Sequence, residues 1–350
     1  MEQQYGIKLK NRVISQNSLR NLLIFLVIIL CGFFIRLDYY IVKPSRAVEL
    51  GELITVEGKD PDDSGAFFLV TVSQQRAAPF TLLYASINPY LDINPISAVI
   101  PRGMDEDEYR LLQAENMRES RLMAQVVALR RAGYELEIAS EGVEIVGFLE
   151  NAPAEPDLEL GDKLLEIDGK QVLLASEVPL LVQERQVGDS VNVTLLRNDL
   201  LLELNLVTGK HPEEEGLPFL GIYIKTLPWE VDIPLDISMD TGRIGGPSAG
   251  MMFTLEIINQ LLDEDITAGR KIAGTGTIDF TENIGRIGGV TQKVVAAERE
   301  GAEYFLVPEA NYEAAQNAAR RIIVVPVDNL EQALNFLKSL ESAAQLGKPR

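Results

Sequence analysis

The stretch that most restricts the fold is "GGPSAGMMFTLEIINQLL", Gly245–Leu262. From Ala249 onward it reads as a largely apolar helix, so it has to be enclosed by other elements rather than laid on a surface. Its entrance is as informative as its body. Gly245 and Gly246 allow a turn that other residues resist, and Pro247 suits the first helical position. Ser248 then falls in the first turn, where unpaired N–H groups and the positive end of the helix dipole gather. A serine there can cap the helix, help cradle a phosphate, or act as a nucleophile beside an oxyanion site.

The rest of the chain narrows these choices. Its 350 residues suggest two domains with appendages. A formal charge of −20 argues against nucleic acid as a partner, because phosphate binding needs a basic surface. A single cysteine, Cys31, excludes an intramolecular disulfide. A single histidine, His211 in "GKHPEEEG", argues against a His-based triad and a His-rich metal site, and no metal is expected.

Near the start, "NLLIFLVIILCGFFI" runs uncharged from Asn21 to Ile35. Its segment from Leu22 to Ile35 is about 21 Å long as a helix, short of a hydrocarbon core of about 30 Å. Extension to Val42 closes the gap if Arg36 snorkels and Tyr39 and Tyr40 sit at headgroup depth. The residues that follow offer no small-x-small cleavage site, so an uncleaved anchor over 21–42 is expected. Lys8, Lys10, Arg12 and Arg20 against Glu2 give the first 20 residues a net +3, which keeps them cytoplasmic. The remaining −23 then lies outside the cytoplasm, with membrane lipid as a partner of residues 21–42.

After the anchor, residues 43–65 read as a linker or edge segment, "GAFFLVTVSQQ" as a buried strand and "PFTLLYASI" as a second strand. "MDEDEYRLLQAENMRESRLMAQVVALRRAG" reads as a long helix with acids in its first turn and Gly133 after a basic last turn. From about Tyr134 the texture changes to short strands and turns. "LELGDKLLEIDGKQV" and "DSVNVTLLRNDLLLELNLV" carry hairpin signals, with a short helix in "SEVPLLVQE" between them. Residues 134–210 resemble a PDZ domain of the bacterial protease type, the likeness being carried by "NAPAE" and "LELGDKLLEIDGK". The resemblance implies peptide binding along "EGVEIVGFL", with Val143, Ile145, Val146 and Gly147 supplying backbone partners.

A serine nucleophile without histidine needs a lysine that burial keeps neutral. Downstream, "GTGTIDFTENIGRIGGVTQKVVAAEREGA" holds a second Gly-Gly before a helix, with Lys293 early on an apolar face. From spacing alone, a snorkelling surface lysine is the better reading of Lys293. "GGPSAG" together with "IGRIGGVTQKVVAAEREGAEYFLVPEAN" resembles the proteolytic domain of Lon proteases, whose chemistry uses a Ser/Lys dyad. The likeness extends to "KIAGTGTI", "IIVVPVDNLEQALNFL" and the long helix. It implies Ser248 as nucleophile, Lys293 as general base and Thr275 of "GTGT" as an orienting residue. Thr277 stands where Lon proteases have the Glu of "TGEI". Asp240, close upstream, receives no role.

The expected architecture is α+β: a Lon-type proteolytic domain with an inserted, mainly β PDZ domain and an N-terminal transmembrane helix. Its divisions are a cytoplasmic 1–20, the anchor 21–42, an N-terminal Lon-like part at 43–133, the PDZ domain at 134–210, the catalytic part at 211–342 and a tail at 343–350. This order resembles the membrane-anchored PDZ-containing Lon-like proteases of Gram-positive bacteria, including pheromone-processing members. It implies an endopeptidase acting on extracytoplasmic peptides or proteins and a tendency to form homo-oligomeric rings. No GxxxxGK[ST] stretch is present, so neither ATP nor any other cofactor is expected. Two other readings stay open at this level: a catalytically silent PDZ adaptor, and a small-molecule kinase fold, whose Gly-x-Gly-Ser-Ser loop "GGPSAG" does not match.

Overall fold

The computed structural model describes residues 16–346 except 60–63, 102, 212–215, 243 and 263–264. Glu2, Lys8, Lys10 and Arg12, and with them the expected cytoplasmic charge, lie outside these residues, as does the end of the expected tail.

The apolar helix, Gly250–Leu261, is buried continuously from Gly250 to Ile258. Its cover comes from the long helix Glu106–Arg131 on one side and a six-stranded sheet on the other. The long helix starts with a capping box, in which Asp105 accepts from the Asp107 and Glu108 N–H groups while Glu108 accepts from Asp105 N–H. In spatial order the sheet runs 323–327, 304–308, 271–274, 66–76, 39–49, 92–95. Its first four strands are parallel and the last two join antiparallel.

Side-chain alternation along these strands builds two cores. Phe67, Leu69, Ile272 and Leu306 face the apolar helix. Phe68, Val70, Ala273, Phe305 and Val307 face the helix Val290–Glu300. The two glycine-led helices therefore lie on opposite faces of one sheet. A separate β-rich unit has its own core and the strand order 200–207, 190–197, 163–167, 143–148, 222–226. Its tight turns place Asp168 (φ 51°) with Gly169 (φ 74°), and Asn198 (φ 50°) with Asp199 (φ 62°), in the left-handed region that two-residue hairpins require.

Several expectations need correction. "PFTLLYASI" is a helix, Pro79–Ile87: Pro79 takes its first turn, and Thr81 Oγ1 accepts from the Ala78 N–H at 2.7 Å. The expected linker contains a paired strand, Tyr39–Glu49, held between 66–76 and 92–95. That strand also ends the proposed anchor early. The helix Gln16–Phe34 stops before it, and Tyr40 and Ile41 are buried in the sheet rather than placed at headgroup depth. Among the described residues no helix is long and apolar enough to cross a membrane. Leu22, Leu23, Ile24, Phe25 and Val27 are nonetheless exposed, so this helix is not a core element. Finally, the strand Ile222–Thr226, which lies within the expected catalytic part 211–342, pairs with Val143–Phe148 and extends the β-rich unit past residue 210.

Candidate active site

Gly246 (φ 87°) makes the turn that introduces Ser248, and its N–H donates to Gln113 O of the long helix at 2.9 Å. The helix proper begins two residues after Ser248, at Gly250, with Ala249 as its cap. The N–H groups of Ser248 and Ala249 have no acceptor among the described residues, so the helix entrance keeps donors free beside the hydroxyl. Gly289 (φ 68°) starts the second helix, and Lys293 lies in its first turns. Because both helices begin at the carboxyl end of strand Lys271–Gly274, Ser248 from one face of the sheet meets Lys293 from the other.

The meeting is close. Lys293 Nζ donates to Ser248 Oγ at 2.7 Å and to Thr275 Oγ1 at 3.0 Å, although 45 residues separate serine and lysine in sequence. Thr275, just past the strand end, donates its hydroxyl to Ser248 O at 2.9 Å, and Gly276 N–H donates to the same oxygen at 2.9 Å. Lys293 is 4% exposed and makes no ion pair among the described residues. Desolvation lowers its pKa to about 7. A lysine so placed is substantially neutral near pH 7 and can accept the serine proton. Thr277 lies in a short strand paired with Ile284–Gly285, and Asp240 is exposed, accepting from the Gly242 N–H. Neither makes a contact with the Ser248–Lys293 pair among the described hydrogen bonds.

The strand expected to bind peptide is not an edge of its sheet. Strand Val143–Phe148 is paired on both sides, with Lys163 and Leu164 and with Ile222–Thr226. Ile145 also exchanges backbone bonds with the Gly161–Asp162 turn. Val143, Ile145 and Gly147 are buried and Val146 is half-buried. Besides Leu200–Val207 at its far side, this sheet has as edge strand Ile222–Thr226. It faces a cavity of about 480 Å³ bounded by the helix Glu177–Gln183, the long helix, and Pro247, Thr277 and Ile278 near Ser248. The available signal was a glycine between apolar residues at a strand start, "LGIYI". Gly221 has φ 73°, and a Cβ there would come within 2.8 Å of Ala152.

A buried lysine within hydrogen-bonding distance of a serine at a helix start has the geometry for passing a proton between the two. Comparison with known proteins identifies two domains in the chain. Residues 231–338 match the Lon protease (S16) C-terminal proteolytic domain, and residues 124–208 match the PDZ domain. The chain thus carries a Lon-type serine peptidase domain and a PDZ domain. It is 32% identical to the Archaeal Lon protease of Methanocaldococcus jannaschii over 111 residues, covering 32% of this chain and 17% of that protein. It is 33% identical to Lon protease 1 of Borreliella burgdorferi over 96 residues, covering 26% of this chain and 12% of that protein. The chain therefore spans less than a fifth of the length of these relatives. Among solved structures, the PDZ domain of the SdrC-like protein from Listeria monocytogenes aligns at 24% identity and a TM-score of 0.24, covering 25% of this chain and 92% of that one.

Proposed function

We propose that this protein is a membrane-anchored, ATP-independent serine endopeptidase in which Ser248 is the nucleophile and Lys293 the general base. The observation that carries this reading is the 2.7 Å contact between Lys293 Nζ and Ser248 Oγ, made by a lysine that burial holds near neutrality. Ser248 Oγ attacks the scissile carbonyl as its proton passes to Lys293 Nζ, and the oxyanion is met by the free N–H groups at the helix entrance. Lys293 then returns the proton to the leaving amine. Water, deprotonated by the same lysine, hydrolyses the acyl-serine to a carboxylic acid and restores the hydroxyl.

The apolar, exposed face of Gln16–Phe34 and the basic residues before it support anchoring, with the first residues cytoplasmic and the peptidase outside. The PDZ domain, through the open edge of Ile222–Thr226, supports capture of extracytoplasmic peptides, pheromone precursors of Gram-positive bacteria among them. The substrates proposed are flexible or already exposed chains. Comparative peptidomics of culture medium from cells making the wild type or Ser248→Ala tests the reading. Peptides lost with Ser248→Ala and with Lys293→Ala are expected. Identical peptide sets would overturn it.

A further inference from the structure

The helix Pro79–Ile87 is apolar on more sides than the protein covers. Leu82 and Ala85 pack with Ile41 and Ala77 in a small core beside the sheet. Phe80, Leu83, Tyr84 and Ile87, at the spacing i, i+3, i+4 and i+7, form a second apolar stripe. Along it Leu83 is 64%, Tyr84 59% and Ile87 77% exposed. A helix with apolar residues all round is ordinarily enclosed, in a core or in lipid. The sequence around it is also free of charge, with no Asp, Glu, Lys or Arg between Arg76 and Asp92. Tyr84 adds an amphipathic ring, its hydroxyl accepting from the Asn88 side-chain amide at 2.9 Å. Such rings collect where apolar and aqueous phases meet.

The sheet decides what this stripe lies beside. Strands 39–49 and 66–76 pair antiparallel with Tyr40 opposite Arg76, so the start of one adjoins the end of the other. The helix Gln16–Phe34 leads into the first of these strands and Pro79–Ile87 follows the second, so both helices meet the sheet at the same end. Their junctions are bonded together: Leu37 N–H donates to Ala77 O at 2.9 Å, and Ala77 N–H donates to Tyr39 O at 2.7 Å. The helices also touch, and a Cβ at Gly32 would collide with the Phe80 ring. The exposed stripe therefore adjoins the helix whose Leu22, Leu23, Ile24, Phe25 and Val27 are exposed, and Phe34 at its end is 72% exposed. Charges return around this surface. Arg36 is exposed, the Arg320 guanidinium lies 5.3 Å from the centre of the Tyr90 ring, Asp38 pairs with Arg76 at 3.3 Å, and Asp92 is exposed.

We propose that the helix Pro79–Ile87 lies flat in the membrane surface, with Leu83, Tyr84 and Ile87 in the headgroup and upper acyl region of a phospholipid bilayer. This rests on the anchoring proposed above and adds a second lipid contact, outside residues 21–42. Its consequence for the peptidase is orientation. Pro79–Ile87 packs on strands 39–49 and 92–95, and the same sheet brings Ser248 to Lys293 at the end of Lys271–Gly274. Two attachments fix that sheet at one height and tilt above the lipid, whereas a single helix leaves it free to swing.

The test uses the full chain in vesicles of phosphatidylcholine and phosphatidylglycerol. The single native cysteine is removed by Cys31→Ala, and one cysteine at a time is introduced by Leu83→Cys, Ile87→Cys or Leu201→Cys and labelled with a nitrobenzoxadiazole dye. Leu201, 63% exposed on the β-rich unit, is the control. Flotation with the vesicles reports anchoring by itself. Dye at positions 83 and 87 should emit to the blue of dye at 201. Spin-labelled lipid should quench it at least about twofold more strongly, and more from high on the acyl chain than from its end, as for an apolar face about 5–10 Å deep. Dye at 83 and 87 that matches dye at 201, in protein that floats, would overturn the second contact and leave the anchor in place. Blue-shifted emission that lipid does not quench would also overturn it, because protein then covers the stripe. A chain that does not float with the vesicles would overturn the anchor and the second contact together.

Discussion

Lys293→Met separates the two consequences of burying this lysine. Methionine keeps much of the length and removes the charge. The lysine pKa falls from 10.5 to about 7 in the folded protein, which corresponds to about 5 kcal/mol between the protonation states. The sign follows from proton counts. Between pH 7 and 10.5 the unfolded chain binds a proton at this site that the folded chain does not, so wild-type stability gains from this group as pH rises through that window. Below pH 7 the full penalty applies. Lys293→Met escapes it but loses the two hydrogen bonds to Ser248 and Thr275, about 1 kcal/mol each. The variant should thus be more stable than wild type by about 3 kcal/mol at pH 6, and that advantage should vanish by about pH 10. Denaturant titrations of both proteins at pH 6, 8 and 10 measure the difference. In the same proteins, wild-type kcat/KM should rise with pH to a plateau beginning near 7, and Lys293→Met should be inactive. Parallel pH dependence of stability in the two proteins, or a wild-type rate that inflects near 10, would refute the argument.

Three further outcomes can be measured. Thr275→Val removes the hydroxyl that joins Lys293 to Ser248 O and should lower kcat about tenfold to a hundredfold, while Thr275→Ser stays within about threefold of wild type. Desolvation raises the Glu256 carboxyl from 4.5 to about 7, so its contribution to stability is complete below pH 4.5 and is lost as pH rises to 7. Melting curves of Glu256→Gln should lack that decline, worth about 3 kcal/mol. Gln292 is fully buried and neither polar atom of its amide finds a partner among the described residues, so Gln292→Met should stabilise the fold by about 1–3 kcal/mol in denaturant titrations.

Much of this was legible because local chemistry is written locally. The two Gly-Gly entrances, the apolar body of Gly250–Leu261 and the lysine near a helix start needed no contact map. Nor did the Asp168–Gly169 and Asn198–Asp199 hairpins, whose turn residues tolerate positive φ. The failures share a cause. "PFTLLYASI" is as apolar as a strand, and only the Thr81 cap and the packing of Leu82 and Ala85 near Ile41 make it a helix. Tyr39–Glu49 looked like a linker because its partners, 66–76 and 92–95, are distant in sequence.

The sequence by itself determined which residues could do the chemistry: one serine at a glycine-led helix and one lysine early on another. Tertiary structure decided that they touch, by placing the two helices on opposite faces of a sheet and starting both at the end of Lys271–Gly274. It also decided that the lysine sits near neutrality, because desolvation depends on what surrounds Nζ and not on its neighbours in the chain. The sheet's free edge was likewise a tertiary decision. A strand's free edge is whatever long-range pairing leaves over, and pairing consumed both sides of Val143–Phe148 and left Ile222–Thr226 open.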